Sequence, residues 1–291
     1  MGKREGKQMR RAAVLVFACS LLLVTAFVAG SLNSADATPV GGSGQVRYGV
    51  SQQKGFDTCS APTTSQMQTW WTYSPYWDTI IYLGGSNRGC SQPNLTSSWV
   101  TTVHNQGWSF YLTWVGPQAP CNTQYGSRIS YDTFTAYTQG KTEADRADAA
   151  AFNIGFTGYN VYYYDMENYN ETDPACRDAV NSFINGWVYE NHQIWGNKAG
   201  VYGNGCDAVK WTTIFNVPDD VWIADWNGDP DVWGLYCLPD GYWIYNQRLH
   251  QYWGNAWETY NGVTLLIDRD CANGLVTPHG HGWNDTTCTV E

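Results

Sequence analysis

The chain has 291 residues, of which only 14% are charged, whereas 16 Trp, 20 Tyr and 9 Phe make it rich in aromatic side chains. So many aromatic residues need burial or a ligand, which excludes a disordered chain. The net charge is −10, and it becomes −13 without the first 37 residues, which carry five basic and two acidic side chains. A chain this acidic cannot form a strong phosphate-binding surface, so nucleic acid is not an expected partner.

The first 37 residues have the order of a secretory signal peptide. Five basic residues precede an apolar run over 12–30, and Ala35-Asp36-Ala37 is an A-x-A cleavage signal. An uncleaved membrane anchor is the alternative, because a run of this length can just span a bilayer. We predict a signal peptide at 1–37, a linker at 38–46 and one secreted, extracellular domain at 47–291 that is monomeric and free of the membrane after cleavage.

The cysteine count predicts a disulfide framework. Cys19 lies inside the apolar run, and the other eight cysteines form an even number in an exported chain. A zinc site is the alternative, but the sequence contains no C-x₂-C pair. Eight cysteines allow 105 pairings, and the spacing favours Cys59–Cys90, Cys121–Cys176, Cys206–Cys237 and Cys271–Cys288. Since most of these residues follow predicted strands, we expect the bridges at the end of the fold where the strands finish.

Eight short apolar runs predict strands that are covered on both faces, because they are continuous rather than alternating. They span residues 55–57, 79–83, 108–114, 160–164, 200–202, 221–224, 250–253 and 263–267. Helical patterns lie between several of them, at 63–71, 95–103, 141–154 and 174–195. This alternation predicts an α/β fold, a single (β/α)₈ TIM-type barrel stapled by disulfides, with all strands parallel. An open doubly wound sheet is the alternative, although no glycine-rich phosphate loop follows the first strand.

Four of the predicted strands finish at an aspartate, namely Asp57, Asp165, Asp225 and Asp268. All strands of a parallel barrel end on the same face, so we expect these carboxylates to converge there. Turn formation is an alternative for each of them, since aspartate favours turns.

Asp165-Met166-Glu167 is the most informative motif. Alternation along a strand places residues 165 and 167 on one side, and two close carboxyl groups cannot both ionise freely, so one pKa should rise. A carboxyl group with a raised pKa can protonate the leaving oxygen of a glycosidic bond. The hypothesis is therefore glycoside hydrolysis with Glu167 as the acid, and Asp165, Asp225 and Asp57 beside it.

Aromatic and amide side chains near the strand ends are candidates for holding sugar rings, whose apolar faces lie well on flat aromatic groups. Ordinary core packing is the alternative for about half of the aromatic residues. The predicted substrate-binding residues are Trp114, Gln118, Tyr169, Tyr202, Trp226, Gln251 and Asp268. No cofactor and no metal are expected, because the five histidines do not have the spacing of metal ligands.

Several segments resemble the exported bacterial glycoside-hydrolase-like barrel proteins, which in turn are similar to the barrel-type lysozymes (muramidases). The resemblance extends from about Gln45 to Cys271. Its motifs are Gly55-Phe56-Asp57-Thr58-Cys59, Tyr82-Leu83-Gly84-Gly85, Trp114-Val115-Gly116-Pro117-Gln118, Tyr163-Tyr164-Asp165-Met166-Glu167 and Trp222-Ile223-Ala224-Asp225-Trp226.

The resemblance implies a (β/α)₈ barrel that cleaves a cell-wall polysaccharide of the peptidoglycan type. Glu167 would be the general acid, Asp165 would orient the substrate's acetamido group or stabilise charge, and Asp57 and Asp225 would line the same pocket. Two other functions stay open: a barrel that binds carbohydrate without turnover, and another cell-wall hydrolase such as an amidase.

Overall fold

The computed structural model describes residues 48–277, and the predicted signal peptide and Cys288 lie outside this range. The strands are β1 (Gly49–Ser51), β2 (Lys54–Asp57), β3 (Asp78–Gly84), β4 (Ser109–Trp114), β5 (Val161–Asp165), β6 (Lys198–Gly203), β7 (Asp220–Ala224), β8 (Arg248–Tyr260) and β9 (Val263–Val276). The helices are α1 (Thr64–Tyr73), α2 (Ser97–Gln106), α3 (Thr133–Asn153), α4 (Pro174–Gln193) and α5 (Gly205–Trp211). None of these helices has the length and apolarity to cross a membrane.

Strands β2 to β9 form a closed eight-stranded barrel, as predicted. Each strand from β2 to β7 is parallel to the one after it, and β9 closes the ring between β8 and β2. The prediction that all strands are parallel is wrong for β9, which is antiparallel to both neighbours. The reason is the two-residue turn at Asn261 and Gly262, whose φ values of 44° and 82° suit the tight hairpin that joins β8 to β9.

Polar caps and close contacts explain where the helices begin and how they pack. Asp132 caps α3, which therefore begins well before the predicted start at residue 141. Asp173 caps α4 and Pro174 occupies its first turn, as the sequence indicated. These two helices pack closely through Gly140 and Gly186, because a Cβ at either position would collide with the backbone of the other helix.

The hydrophobic core has two main parts, one inside the barrel and one between the barrel and the helices. The interior is filled by Tyr111, Tyr163 and Trp222 together with smaller apolar residues of the strands. The larger cluster lies between the strands and the helices, and it includes Trp70, Trp108, Trp187 and Trp211. Because aromatic rings fill the interior, the barrel is a packed core, and space for a ligand exists at its ends.

Three predicted disulfides are present: Cys59–Cys90, Cys121–Cys176 and Cys206–Cys237. All three join segments that follow the carboxyl ends of parallel strands, which is the end where they were expected. The fourth predicted pairing depends on Cys288, which lies outside the described residues. Cys271 lies within β9 rather than after a strand.

Candidate functional site

We call the end of the barrel where the parallel strands finish the mouth. Side chains alternate along each strand, so one residue near the end of each strand points into the mouth. At this level the inward residues are polar, whereas the layer below is aromatic. The polar layer consists of Asp57 on β2, Tyr82 on β3, Asp165 on β5, Tyr202 on β6, Gln251 on β8 and Asp270 on β9.

A chain of hydrogen bonds fixes the carboxylate of Asp57. Tyr82 donates its hydroxyl to Asp57 Oδ1 at 2.9 Å, and Gln251 donates its amide to Asp57 Oδ2 at 2.8 Å. The hydroxyl of Tyr202 and the indole N–H of Trp226 both donate to Gln251 Oε1 at 3.0 Å. This holds the Gln251 amide with its N–H groups toward the acid, so the orientation of Asp57 depends on side chains of β3, β6 and β8.

Gln118 fixes the backbone at the end of β5. Its amide donates to the carbonyl oxygen of Asp165 at 2.7 Å, and its oxygen accepts the backbone N–H of Glu167 at 2.8 Å. Gln118 is fully buried, and it therefore acts as a backbone clamp rather than the substrate contact that was predicted. Tyr125, from the loop after β4, forms a side-chain hydrogen bond with Glu167.

Four carboxyl groups line one open cavity of about 480 Å³ at the mouth. They belong to Asp57, Asp165, Glu167 and Asp268, all of which were candidates from the sequence. Arg88, after β3, is the one basic residue lining this cavity among those the structure describes. The volume falls within the range of ligand pockets, about 300–1,000 Å³.

Burial raises the pKa of each of these acids, because the charged form loses its water. For Asp57 burial and the neighbouring Asp268 raise the pKa to about 7. Burial, followed by the charges of Glu167 and Asp57, raises the pKa of Asp165 well above its usual value. Burial also raises the pKa of Glu167, although the hydrogen bond from Tyr125 acts in the opposite direction. The site therefore favours carboxyl groups that keep a proton near neutral pH, which is the property of a general acid.

The reversal of β9 explains why Asp268 lies at the mouth. The sequence placed it there as the last residue of a parallel strand, but it is an internal residue of β9 paired with Asp57. Because β9 enters the barrel at the mouth and runs antiparallel to β2, Asp268 lies beside Asp57 at the end of β2. Asp270, two residues further along, points to the same side and is fully buried, with Trp222 donating to its Oδ1 at 2.8 Å.

Seven predicted site residues are outside the lining of the cavity. Gln118, Tyr202, Gln251 and Trp226 belong to the hydrogen-bond networks described above, and the other three are Asp225, Trp114 and Tyr169. The Asp225 carboxylate accepts the backbone N–H of Tyr236 at 2.9 Å, which organises the loop after β7, and Asp225 is not among the residues that line the cavity. Trp114 faces outward beneath α3 and donates to Glu143 at 2.7 Å. Tyr169 packs into the helical layer. Turn formation accounts for the position of Asp225, and core packing accounts for the positions of Trp114 and Tyr169.

Sequence reasoning missed Tyr82, Tyr125, Arg88 and Asp270. A signal for Tyr82 was present in the sequence. It lies two residues after Ile80, which points into the barrel, and alternation along the strand therefore points Tyr82 to the same side, at the mouth. Asp270 follows Asp268 at the same spacing, but the predicted strand ended at residue 267. Tyr125 and Arg88 lie in loops whose positions no local pattern indicates. In residues 48–277, no group of three or more His, Cys, Asp and Glu side chains is arranged to hold a metal ion.

A family model and several solved structures resemble this chain. A family model described as Rv2525c-like, glycoside hydrolase-like domain matches residues 68–272. An uncharacterised B. stearothermophilus protein is 15% identical over 76% of this chain and 95% of its own, with a TM-score of 0.52, which shows a shared fold. A family 25 glycosyl hydrolase from Bacillus anthracis is 15% identical, covering 80% and 95% of the two chains, with a TM-score of 0.46. A muramidase from Acremonium alcalophilum is 18% identical, covering 76% and 94%, with a TM-score of 0.44. A search of curated sequences found no significant match.

Proposed function

Because the chain belongs to the Rv2525c-like, glycoside hydrolase-like family, we propose that it is a secreted hydrolase of glycosidic bonds in cell-wall polysaccharide, with Glu167 as the general acid. The observation that carries this proposal is the convergence of Asp57, Asp165, Glu167 and Asp268 in one open cavity. The three disulfides support export, since such bridges persist in oxidising compartments.

Glu167 has the environment that an acid catalyst needs. Its burial favours the protonated form, and its position in the cavity lining makes that proton accessible to a bound glycosidic oxygen. Gln118 accepts the backbone N–H of Glu167, and Tyr125 forms a hydrogen bond with its carboxyl group. In the proposed reaction Glu167 gives its proton to the leaving oxygen as the bond to the sugar ring breaks.

Asp165 is suited to orient an acetamido group of the substrate. Its Oδ1 atom is buried without a hydrogen-bond partner, which is a costly arrangement for a carboxylate. Asp165 also lines the cavity, and an amide N–H donated by the substrate to its carboxyl group would favour the charged form. The oxygen of the same acetamido group would then be held toward the sugar's anomeric carbon as an internal nucleophile. This role favours glycans that contain N-acetylated sugars, such as peptidoglycan.

The test is the release of reducing ends from peptidoglycan and chitin fragments by wild type and by Glu167→Gln. We expect the variant to lose at least about 100-fold in rate, because general acid catalysis contributes about 10²–10⁴-fold. Glu171→Gln is the matched control, since Glu171 lies outside the cavity lined by Glu167. Equal rates for wild type and Glu167→Gln would remove Glu167 from the mechanism.

Carbohydrate binding without turnover is the second candidate, and Trp226 favours it. This side chain is 57% exposed beside the mouth and is held there by its bond to Gln251, so it offers a rigid aromatic face to a sugar. Titration of oligosaccharides into the wild type, with product analysis of the same samples after long incubation, separates the two candidates. Affinity without products would favour the binding protein.

A further inference from the structure

The hairpin formed by β8 and β9 continues past the mouth and has two different faces. One face packs on α1 and on the segment that follows it: Tyr260 contacts Trp70 of α1 at 5.0 Å between ring centroids, and Tyr76, just after α1, donates its hydroxyl to Glu258 at 3.0 Å. The residues that alternate with these point away from α1 and are exposed. We call this second face the hairpin strip, consisting of Asn255, Trp257, Thr259, Thr264 and Leu266.

The hairpin strip is continuous with the cavity. Asn255 and Leu266 line the cavity together with Asp268, which belongs to the same face of β9. Trp257 is paired directly with Leu266 across the two strands, and Thr259 is paired with Thr264. Directly paired residues have their Cβ atoms about 5 Å apart. The ring of Trp257 is therefore a direct neighbour of the cavity wall.

The exposed side chains of the hairpin strip are of the kinds that bind sugar rings. Trp257 is 72% exposed and Leu266 is 40% exposed, although the opposite face of the same hairpin is packed against a helix. The hydroxyl groups of Thr259 and Thr264 lie 2.7 Å apart at its outer end, and the amide of Asn255 lies at its inner end. An exposed aromatic ring between hydroxyl and amide groups can stack on the apolar face of a sugar while the polar groups bind its hydroxyls.

We propose that the hairpin strip is a binding subsite for the part of the polysaccharide that extends beyond the cavity, with Trp257 as its stacking platform. The five residues from Thr264 to Asp268 are separated by four steps of about 3.4 Å, so they span about 14 Å, which is long enough for more than one sugar ring. The inference rests on the proposed function, because it assigns the strip to the same substrate. It predicts that affinity rises with the length of the saccharide.

The experiment is calorimetric titration of the dimer and the hexamer of β-1,4-linked N-acetylglucosamine into wild type, Trp257→Ala and Trp195→Ala. Trp195 is the matched control, because it is 73% exposed but follows α4, at the other end of the barrel. We expect Trp257→Ala to weaken hexamer binding about fivefold to tenfold, as the loss of one aromatic contact does. Dimer binding should not change, and Trp195→Ala should behave as wild type. Leu266→Ala, at the cross-strand neighbour, should weaken the hexamer to a smaller extent.

Two results would overturn the inference. Equal hexamer affinity in wild type and Trp257→Ala would exclude the strip as a subsite, even if Glu167→Gln abolished hydrolysis. No binding of either saccharide by the wild type would reject both the strip and this class of substrate. Conversely, a length-dependent loss in Trp257→Ala, together with an absence of products, would retain the strip and reject catalysis.

Discussion

Replacing Asp57 with Asn should change how the stability of the fold depends on pH. Burial and Asp268 raise the pKa of Asp57 from 3.8 to about 7, so the folded chain holds this proton more tightly than the unfolded chain does. The stabilisation is complete below pH 3.8 and is lost as the pH rises to about 7. At about 1.4 kcal/mol per pH unit, this single group contributes about 4 kcal/mol to the decline.

An Asn side chain cannot titrate, so the variant should lose this part of the pH dependence. Its oxygen can still accept the Tyr82 hydroxyl, whereas its amide faces the Gln251 amide, and that mismatch lowers the free energy of unfolding equally at every pH. Removing the charge at Asp57 also lowers the pKa of Asp165 and Asp270, because Asp57 raises both. This secondary change reduces the pH dependence further, so it acts in the same direction.

The measurement is urea unfolding of wild type and Asp57→Asn at intervals from pH 4 to pH 8. The free energy of unfolding of the wild type should fall by about 4 kcal/mol more than that of the variant over this range. Asp178→Asn is the control, because the side chain of Asp178 is 57% exposed on α4 and should leave the slope unchanged. Parallel slopes for wild type and Asp57→Asn would refute the argument that Asp57 is buried beside other acids.

Two further predictions concern the loop between β4 and α3. Tyr125→Phe removes the hydrogen bond that lowers the pKa of Glu167, so that pKa should rise and the alkaline limb of the rate–pH profile should move to higher pH. An unchanged profile would show that Tyr125 does not act on the acid. Reduction of Cys121–Cys176, which closes a loop of 55 residues, should lower the free energy of unfolding by about 4 kcal/mol. The check is urea unfolding of the Cys121→Ser, Cys176→Ser double variant, and a midpoint equal to that of wild type would contradict the expectation.

The sequence predicted the barrel because eight short apolar runs, most of them continuous, are separated by helical or polar stretches. It did not predict the direction of β9, because each run was assigned by itself. The signal for the hairpin was present, since Asn261-Gly262 between two strand-forming segments is typical of a tight turn. The lengths of β8 and β9 were also underestimated. The missed outer half of β8 alternates between exposed and buried residues, and the missed part of β9, from Asp268 onward, begins with the charged residues Asp268, Arg269 and Asp270.

The candidate site was predictable where it depends on the ends of strands. Asp57 and Asp165 converge because alternation within a closed barrel turns both side chains into the mouth. Glu167 lies two residues past the end of β5, and its backbone is held there by Gln118. Asp225 shows the limit of this reasoning, since the residue after a strand can turn into its own loop, where backbone N–H groups need an acceptor. Tyr125 and Arg88 reach the cavity through loops whose course depends on tertiary contacts, and no periodicity records these.

Because β9 is antiparallel to β8, the hairpin that these two strands form beyond the mouth can change in length without altering the rest of the fold. Parallel strands must turn back into helices at the rim, but an antiparallel pair joined by a two-residue turn can be lengthened by inserting residues beside that turn. Because side chains alternate, insertions keep the same face toward the substrate only when they add two residues to each strand, or about 7 Å. Related chains are therefore expected to differ in groove depth by such discrete increments, with the eight-stranded ring beneath unaltered.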